Sequence, residues 1–239
     1  MEKVRTAIIL AGGLGTRLRS VIPDQPKVLA PVAGQPFLHY VLSYLKRQGI
    51  NEVILSVGHL AEKVREVVGY GTRWGLSVRY VFEQTPLGTG GALRLASQDI
   101  KQPFVALNGD TLFQIDLDLF QQEFEKLGVP AALALKRVTQ GEARGCVILS
   151  DQGIVEGFTE KPVGIGSALV NGGVYLLREE SLSGIEFGQP VSLERQVFPE
   201  LASQGLLAGF PHEAYFIDIG TPESLAAFER DVLDGRAGG

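Results

Sequence analysis

Apolar segments of strand length alternate with helical patterns through the first 130 residues of this chain. Val4–Leu10 is an apolar run closed by glycines, and Glu52–Val57 repeats that pattern after the amphipathic segment Pro36–Gln48. A short buried run predicts a strand, and apolar residues at helical spacing predict a helix. Further strands are predicted at Val78–Phe82 and Phe104–Leu107, and further helices at Leu60–Val68 and Gly91–Ser97. Strands separated by helices predict an α/β fold, with a Rossmann-like, mostly parallel mixed sheet flanked by helices.

The pattern changes after about residue 130, where short strands are separated by turn residues. Asp151-Gln152-Gly153 has the composition of a hairpin turn. Because no repeat or low-complexity linker interrupts the chain, we predict a single domain over 1–239, with an N-terminal half over 1–130 and a C-terminal half over 131–235. The elements predicted in the second half are strands at Ala131–Lys136, Cys146–Leu149, Ile154–Phe158 and Val170–Leu177, and helices at Leu193–Ser203 and Glu223–Leu233.

The composition of the chain limits which kinds of protein it can be. Of 239 residues, 45% are apolar and 21% charged, which excludes a wholly disordered, collagen-like or coiled-coil chain. A net charge of −5 argues against nucleic acid as a partner. Cys146 is the single cysteine and there are three histidines, so neither an internal disulfide nor a zinc cluster is expected. No apolar run is long enough for a signal peptide or a membrane span, so we expect a soluble cytoplasmic protein without a membrane partner. A homo-oligomer is compatible with this sequence.

A glycine-rich loop, Gly12-Gly13-Leu14-Gly15-Thr16-Arg17-Leu18, follows the first predicted strand. Its glycines leave the backbone uncovered, so that N–H groups can face an anion. Arg17 can hold phosphate oxygens in a bidentate manner, and Lys27 supplies a second cation ten residues later. A Walker A motif needs a lysine directly after its last glycine, and Lys27 is too far along the chain for that. The dinucleotide fingerprint needs a last glycine where this loop has Leu18. It therefore indicates a phosphate site of another kind, with a tight turn carrying surface charges as the alternative.

A second glycine-rich segment, Leu87-Gly88-Thr89-Gly90-Gly91-Ala92, follows Glu83 and the predicted strand Val78–Phe82. The carboxyl ends of strands are where open parallel sheets bind ligands. We expect a flat base to lie on this glycine strip, with Glu83 accepting hydrogen bonds from the base or the ribose. The alternative for Glu83 is a solvated residue at the end of a strand.

Two aspartates, Asp110 and Asp218, each end an apolar strand pattern. Mg²⁺ is typically bound by one or two carboxylates together with substrate phosphates, so this pair is a candidate magnesium site. The alternative is that each aspartate serves a turn, and Pro222 indeed indicates a helix start just after Asp218. Asp116 and Asp118 are expected to begin a helix over Leu119–Lys126.

A third group of polar residues lies in the second half of the chain. Lys161, in Glu160-Lys161-Pro162, can pair with a second phosphate, and Glu160 and Asn171 can hydrogen-bond to sugar hydroxyls. The alternative is an ordinary exposed loop.

Taken together and in this order, these motifs resemble the sugar-1-phosphate nucleotidyltransferase family, also called NDP-sugar pyrophosphorylases. The resemblance covers most of the chain and extends to Asn171-Gly172-Gly173-Val174-Tyr175 and Asp218-Ile219-Gly220-Thr221-Pro222. Gly90 and Gly172 stand where many relatives carry alanine, and the run after Leu18 departs from the common pattern. That variant looks most like the branch that transfers GMP to D-glycero-D-manno-heptose 1-phosphate. The C-terminal β-helix of many relatives is expected to be absent.

The resemblance implies a role for each matching residue. The first half would bind the nucleotide and the second the sugar phosphate, and Mg²⁺ would be the cofactor. Arg17, Lys27, Asp110 and Asp218 would be catalytic, and the two aspartates would hold the metal. The nucleotide would contact Leu10, Gly12, Gly13, Gly15, Thr16, Glu83, Gly88 and Thr89, and the sugar phosphate would contact Asn108, Glu160, Lys161, Asn171 and Gly172.

The implied reaction needs no protein nucleophile, because an oxygen of the sugar phosphate attacks the α-phosphorus and pyrophosphate leaves. Glu83 fits guanine better than uracil, so GTP is the favoured nucleotide. Mannose 1-phosphate with GTP and N-acetylmuramic acid 1-phosphate with UTP stay open. Two further alternatives are a glycosyltransferase using Asp116-Leu117-Asp118 as its metal motif, and a catalytically silent sensor of nucleotide sugars.

Overall fold

The computed structural model describes residues 3–13, 15–18, 21–139, 145–161 and 166–237. It divides into two compact units, each built from segments that are distant in sequence. We call them the glycine-loop unit and the long-strand unit. The glycine-loop unit comprises Arg5–Pro86, Leu107–Gln114 and Tyr215–Gly239, and the long-strand unit comprises Met1–Val4, Leu87–Ala106 and Ile115–Ala214.

The described residues form strands and helices in alternation, as an α/β fold requires. The strands are β1 (Thr6–Leu10), β2 (Pro31–Val32), β3 (Gln35–Pro36), β4 (Glu52–Val57), β5 (Ser77–Phe82), β6 (Phe104–Asn108), β7 (Thr111–Phe113), β8 (Ala131–Thr139), β9 (Cys146–Leu149), β10 (Val155–Thr159), β11 (Ser167–Leu177), β12 (Leu207–His212) and β13 (Phe216–Asp218). The α-helices are α1 (Phe37–Arg47), α2 (Ala61–Val68), α3 (Gly88–Ala96), α4 (Leu117–Leu127), α5 (Phe198–Ser203) and α6 (Pro222–Leu233). No helix in these described ranges combines the length and the apolar character needed to cross a membrane.

The glycine-loop unit is built on three parallel strands. β1 pairs with β4 from Thr6 opposite Glu52, and β4 pairs with β5 from Glu52 opposite Ser77. β1 and β4 are largely buried and are therefore mostly continuous apolar runs rather than alternating ones, whereas β5 is partly exposed and carries Arg79. Two small antiparallel ribbons, β2–β3 and β7–β13, complete the unit. The prediction of parallel strands linked by helices is confirmed.

The last helix of the glycine-loop unit packs against its first helix. Phe228 of α6 is fully buried, and its ring centroid lies 5.2 Å from those of both Phe37 and Tyr40 of α1, in edge-to-face arrangements. Thr221 and Ser224 form a capping box at the start of α6, with Pro222 in the first turn. This cap fixes where the helix begins, and so fixes the short segment between β13 and α6.

The long-strand unit is built around β11. This strand pairs antiparallel with β8 and with β9, and β9 forms a hairpin with β10. The hairpin turn predicted at Asp151-Gln152-Gly153 is confirmed: the Gly153 N–H donates to the Ser150 carbonyl at 3.1 Å, and Gly153 has a φ of +79°.

Sequence patterns miss one strand of this unit, β12, which pairs in parallel with β8. A glycine and a proline interrupt its apolar pattern. Gly209 is needed because a Cβ there would lie 2.8 Å from side-chain carbons of both Leu135 and Leu149. The close approach of neighbouring side chains therefore explains a residue that, read alone, indicates a turn.

The helix predicted over Leu193–Ser203 is divided in the structure. Leu193–Val197 forms a π-helical turn, and α5 follows from Phe198. Pro199 lacks the N–H that a continuous ladder would need, so the regular pattern restarts there. The helix predicted from Gly91 begins three residues earlier, at Gly88.

Candidate active site

The glycine loop that follows β1 turns sharply beneath Lys27. Gly15 has a φ of +57°, which favours glycine, and a Cβ at this position would lie 3.2 Å from the Lys27 Cβ. The turn therefore brings the backbone against the stem of that lysine. The backbone at 16–18 forms a 3₁₀ turn. Leu14 and the side chain of Thr16 lie outside what the structure describes.

Lys27, Asp110 and Asp218 form a compact charged cluster in the glycine-loop unit. The Lys27 ammonium pairs with Asp110 Oδ2 and lies 3.9 Å from Asp218 Oδ1. Its side chain is 12% exposed, against 29% for Asp110 and 48% for Asp218. The cation therefore lies beneath the two carboxylates, which face outward. Sequence analysis predicted all three residues, and the structure brings them together.

Backbone hydrogen bonds set the positions of the two carboxylates. In the β7–β13 ribbon Asp218 is the partner of Thr111, the residue that follows Asp110. The Ile219 N–H also donates to the Asp110 carbonyl at 2.9 Å. On the other side, the Gly109 N–H donates to the Leu10 carbonyl at 2.9 Å, where a Cβ on Gly109 would overlap that carbonyl. Asp110 is thus held between the end of β1 and the end of β13.

Arg17 lies beside the segment that follows Asp218. A Cβ on Gly220 would lie 3.1 Å from Arg17 Nη2, so the guanidinium lies against the bare backbone of that glycine. The Gly220 N–H donates to Asp218 Oδ1. Arg17 is exposed to solvent, whereas Lys27 is largely buried. One cation can therefore reach an incoming anion while the other holds the carboxylates.

Burial and neighbouring charges act on the pKa of the Asp218 carboxyl in opposing directions. Burial raises the pKa of Asp218, and the nearby Asp110 carboxylate raises it further, while Lys27, the Gly220 N–H and Arg17 oppose the shift. Two carboxylates on one ribbon provide the oxygen ligands that a hard divalent ion prefers. Within the described ranges no group of three or more acidic, histidine or cysteine side chains is assembled, so such an ion would need phosphate or water oxygens as well. The residues fit a metal that arrives with a phosphorylated substrate.

Glu83 lies where the loop after β1 meets the ends of β4 and β5. Its Oε1 accepts a hydrogen bond from the Ser56 hydroxyl at 3.1 Å, and its backbone N–H donates to the Val57 carbonyl at 2.8 Å. A Cβ on Gly12 would overlap Glu83 Oε1, so this carboxylate lies directly over the bare α-carbon of the loop. Gly13, by contrast, has open space around its α-carbon. Gly12 and Glu83 were both predicted for the nucleotide, and the structure places them in contact.

Gly88 and Thr89 belong to the long-strand unit. A Cβ on Gly88 would lie 2.6 Å from the Val191 carbonyl oxygen, and the Thr89 hydroxyl donates to Glu194 while accepting from the Leu193 N–H, each at 2.8 Å. Residues 189–194 pack closely against this glycine strip, and this packing explains why side chains are absent there, which the sequence alone does not show. Contact of Gly88 and Thr89 with a nucleotide stays a prediction.

The residues predicted for the sugar phosphate are spread over the two units. Asn108 ends β6 in the glycine-loop unit, and within the described part of the chain its buried Oδ1 has no hydrogen-bond partner. Glu160 and Lys161 are exposed just after β10, while Pro162 lies outside the described residues. Gly172 is buried within β11. Glu160, Lys161 and Gly172 are in the long-strand unit. The role of all these residues toward a sugar phosphate stays a prediction.

Asn171 occupies an irregular part of β11. Its Oδ1 accepts from the Gly173 N–H at 2.9 Å, and its Nδ2 donates to the Tyr175 hydroxyl at 3.0 Å. The pairing with β8 shifts register between Asn171 and Tyr175, and Gly173 has a φ of +69°. The side chain therefore has a structural function in a bulge, independent of any ligand.

The structure gives Asp116 and Asp118 roles in and around a helix. Asp116, proposed as part of an alternative metal motif, is the N-cap of α4 and accepts from the Leu119 N–H, while Asp118 pairs with Lys3. Both were also expected to begin a helix over Leu119–Lys126: the helix is confirmed but begins two residues earlier, at Leu117, so that Asp116 is its N-cap and Asp118 lies in its first turn. Ser56 was not singled out, although it is a polar residue in an apolar run. That interruption was the signal available in the sequence.

Comparison with known proteins identifies the family of this chain. A family model described as nucleotidyl transferase matches residues 6–235. The chain is 38% identical over 228 residues to the D-glycero-alpha-D-manno-heptose 1-phosphate guanylyltransferase of Aneurinibacillus thermoaerophilus, covering 95% of this chain and 97% of that protein. It is 34% identical to the mannose-1-phosphate guanylyltransferase of Mycobacterium tuberculosis, covering 97% of this chain and 65% of that protein.

A solved structure agrees as well. HddC from Yersinia pseudotuberculosis, complexed with GMP-PN, superposes with a TM-score of 0.84 at 31% identity, over 96% of this chain and 100% of that one. The likeness therefore extends over nearly the whole chain, in sequence and in fold, as a mixed and mostly parallel sheet flanked by helices. The chain belongs to the nucleotidyl transferase family and is a nucleotidyltransferase.

Proposed function

We propose that this protein transfers GMP from GTP to D-glycero-α-D-manno-heptose 1-phosphate, forming the GDP-sugar and pyrophosphate. The observation that carries the proposal is the charged cluster in which Lys27, Asp110 and Asp218 lie beside Arg17 and the glycine loop. The sugar and the base are supported by the names of the relatives and by the guanine nucleotide of the HddC complex. Neither nucleic acid nor a membrane is required.

The reaction joins one phosphate oxygen of the sugar phosphate to the α-phosphorus of GTP. As this bond forms, the bond from the α-phosphorus to the oxygen bridging to the β-phosphorus breaks, and the leaving group departs as pyrophosphate. The attacking oxygen already carries negative charge, so the protein need not remove a proton. Catalysis then depends on holding the reactants in line and stabilising the charge on the phosphates.

Arg17 and Lys27 are suited to different parts of this task. The exposed Arg17 guanidinium is free to bind phosphate oxygens in a bidentate manner. The Lys27 ammonium is buried against Asp110 and holds the two carboxylates in place while remaining next to the loop. Together with the N–H groups of the glycine loop, they would surround a triphosphate with positive charge.

Enzymes of this family generally use a divalent metal ion. We propose Mg²⁺ for this chain, with Asp110 and Asp218 as its ligands. When bound, it offsets negative charge on the phosphates. The Lys27 ammonium lies between the two carboxylates and acts to lower the pKa of Asp218, against the effects of burial and of Asp110.

Glu83 is the proposed reader of the base. A carboxylate accepts hydrogen bonds and donates none when ionised, so it matches the N1–H and the 2-amino group of guanine. Uracil offers a single N–H donor on its pairing edge and matches less well. Because Gly12 has no side chain, the Glu83 carboxylate can lie directly against the glycine loop, beside the site proposed for the phosphates.

The proposal is tested by measuring pyrophosphate release with Mg²⁺ and a panel of substrates. GTP, ATP, UTP, CTP and dTTP are each combined with heptose, mannose, glucose, N-acetylglucosamine and N-acetylmuramic acid 1-phosphates. We expect the highest kcat/KM with GTP and the heptose phosphate. Preference for mannose 1-phosphate would keep the reaction and change the sugar, whereas preference for UTP would contradict the role of Glu83. Asp110→Ala and Asp218→Ala should each abolish turnover, and full activity of both would remove the metal assignment.

A further inference from the structure

The buried hydroxyl of Ser56 is the observation from which this inference starts. Ser56 lies in β4 among apolar residues and is 0% exposed. A buried hydroxyl is costly unless it is hydrogen-bonded, so a serine at this position calls for a partner. That partner is Oε1 of Glu83, 3.1 Å away.

Ser56 also connects to the glycine loop through its backbone. Its carbonyl accepts from the Ala11 N–H at 2.8 Å, immediately before Gly12. One residue thus holds the loop through its carbonyl and the Glu83 side chain through its hydroxyl. Because the Glu83 backbone is itself bonded to the Val57 carbonyl, both ends of the Glu83 side chain are fixed from β4.

We propose that Ser56 is a positioning residue for base selection. Its hydroxyl holds the Glu83 carboxylate over Gly12, in the orientation that accepts hydrogen bonds from guanine. This inference rests on the proposed function, in which Glu83 binds guanine. A carboxylate can accept several hydrogen bonds at once, so a bond from Ser56 is compatible with contact to the two donors of guanine. Hydrogen bonds to a charged group are stronger than neutral ones, and this bond is partly buried, so its loss should release the carboxylate from one orientation.

The experiment compares GTP with ITP, which lacks the 2-amino group of guanine. In Ser56→Ala we expect kcat/KM for GTP to fall about tenfold, the lower end for a hydrogen bond to a charged group, and the ITP value to fall much less. The ratio of the two nucleotides should therefore approach that of Glu83→Ala. Added to Glu83→Ala, the Ser56 change should cost less than about twofold, because the two residues act through one bond.

Ser97→Ala is the matched control. Ser97 is also 0% exposed, but it lies at the end of α3 in the long-strand unit, and its hydroxyl has no hydrogen-bond partner among the residues that the structure describes. The same atom is removed from the same degree of burial, so we expect the GTP to ITP ratio to stay at the wild-type value. The backbone bond from Ala11 survives in Ser56→Ala, so that variant tests the hydroxyl alone. Ser56→Cys, with a weaker donor of similar size, should give an intermediate ratio.

The outcomes separate this inference from the proposed function. If Glu83→Ala lowers the GTP to ITP ratio while Ser56→Ala leaves it unchanged, the positioning role is wrong and the guanine contact stands. An equal loss for GTP and ITP in Ser56→Ala would show a structural role and would also overturn the inference. If Glu83→Ala keeps the ratio, or the wild-type protein does not use GTP, the guanine contact itself is wrong and the role of Ser56 falls with it.

Discussion

At the scale of single residues, the site places two carboxyl groups so close together that the charge of Asp110 disfavours ionisation of Asp218. Burial and the Asp110 carboxylate both raise the pKa of Asp218, and Lys27 offsets this only in part. A raised pKa means that the folded protein binds a proton more readily than the unfolded chain does. The contribution of Asp218 to the free energy of unfolding therefore decreases as the pH rises from its ordinary pKa of 3.8 through the raised value.

Asp218→Asn should consequently separate stability from activity. The amide keeps an acceptor for the Gly220 N–H but carries no charge, so the metal-free variant should melt at or above the wild-type temperature at neutral pH. The difference should shrink as the pH falls toward 4, where the wild-type carboxyl takes up a proton. Turnover should fall at least about a hundredfold, and Mg²⁺ with GTP should raise the melting temperature of the wild type far more than that of the variant. Thermal melts over a pH series decide this, and a lower metal-free melting temperature at pH 7 would contradict it.

Arg17→Ala should also separate stability from activity, because the Arg17 side chain is exposed. Arg17→Ala removes a side chain that borders Gly220 without burial, so the melting temperature of the free protein should change little. Loss of its charge from the phosphates should lower kcat by about a hundredfold or more. Steady-state kinetics and a thermal melt suffice as measurements. A strongly destabilised variant would show that Arg17 has a structural role.

Lys161 tests the proposed sugar-phosphate side. Lys161→Ala removes one ammonium from an exposed position after β10, so we expect folding to be unaffected. The KM for the sugar phosphate should rise about tenfold, as for loss of a hydrogen bond between charged groups, and the KM for GTP should change much less. The matched control is Lys126→Ala, at the last turn of α4. A defect mainly in the KM for GTP would assign Lys161 to the nucleotide instead.

At the scale of elements, the first turn of α3 shows how a glycine cluster can serve packing. The Gly90 and Gly91 N–H groups donate to the Val191 carbonyl at 2.8 and 3.3 Å. A segment that is distant in sequence thus provides the hydrogen-bond acceptor for N–H groups in the first turn of the helix. This close approach leaves no room for side chains on that face of the turn.

Gly91→Ala should therefore destabilise the protein in the absence of any nucleotide. A Cβ at this position overlaps the Gln189 carbonyl oxygen, a backbone atom that cannot move without its segment. We expect a loss of about 1–3 kcal/mol in the free energy of unfolding, measured by urea titration. Gly184→Ala is the control, because it lies in the same unit and meets no atom within 4 Å. Equal stability of the two variants would show that residues 189–191 do not pack as described.

The elements that sequence predicts well are those whose pattern is set locally. β4 and β9 have the bounds expected from their apolar runs, and α1 differs by one residue at each end. β12 is not predicted because its glycine, Gly209, is required by the close side chains of neighbouring strands, which the local sequence does not show. In the site, Lys27, Asp110 and Asp218 are recognisable by charge next to strand ends, whereas the contact of Ser56 with Glu83 arises only when β4 and β5 are paired in register.

At the scale of the whole molecule, Arg17, Lys27, Glu83, Asp110 and Asp218 all fall within one compact unit. Three chain segments supply them, and the last of these is held by α6 packing on α1. The carboxylate cluster therefore depends on the end of the chain docking against its beginning.

Phe228→Ala tests this dependence far from the charged groups. The side chain is fully buried against Phe37 and Tyr40, so its removal should cost about 3–5 kcal/mol of unfolding free energy. Leu233→Ala, on the same helix but 71% exposed, should cost little. Urea unfolding measures both. A small effect of Phe228→Ala would show that α6 is not needed to hold the unit together.

The β7–β13 ribbon has a consequence for how the chain length around the site can vary. Successive side chains of a strand point to opposite faces, so the ribbon decides on which face the Asp218 carboxylate emerges. Deleting one residue between Tyr215 and Asp218 would turn that carboxylate to the other face, even with every charged residue still in the sequence. Related chains can thus differ in the identity of Phe216 or Ile217 more easily than in the number of residues there. A gap at this place in an alignment would mark a chain that cannot present this carboxylate beside Asp110 as a proposed metal ligand.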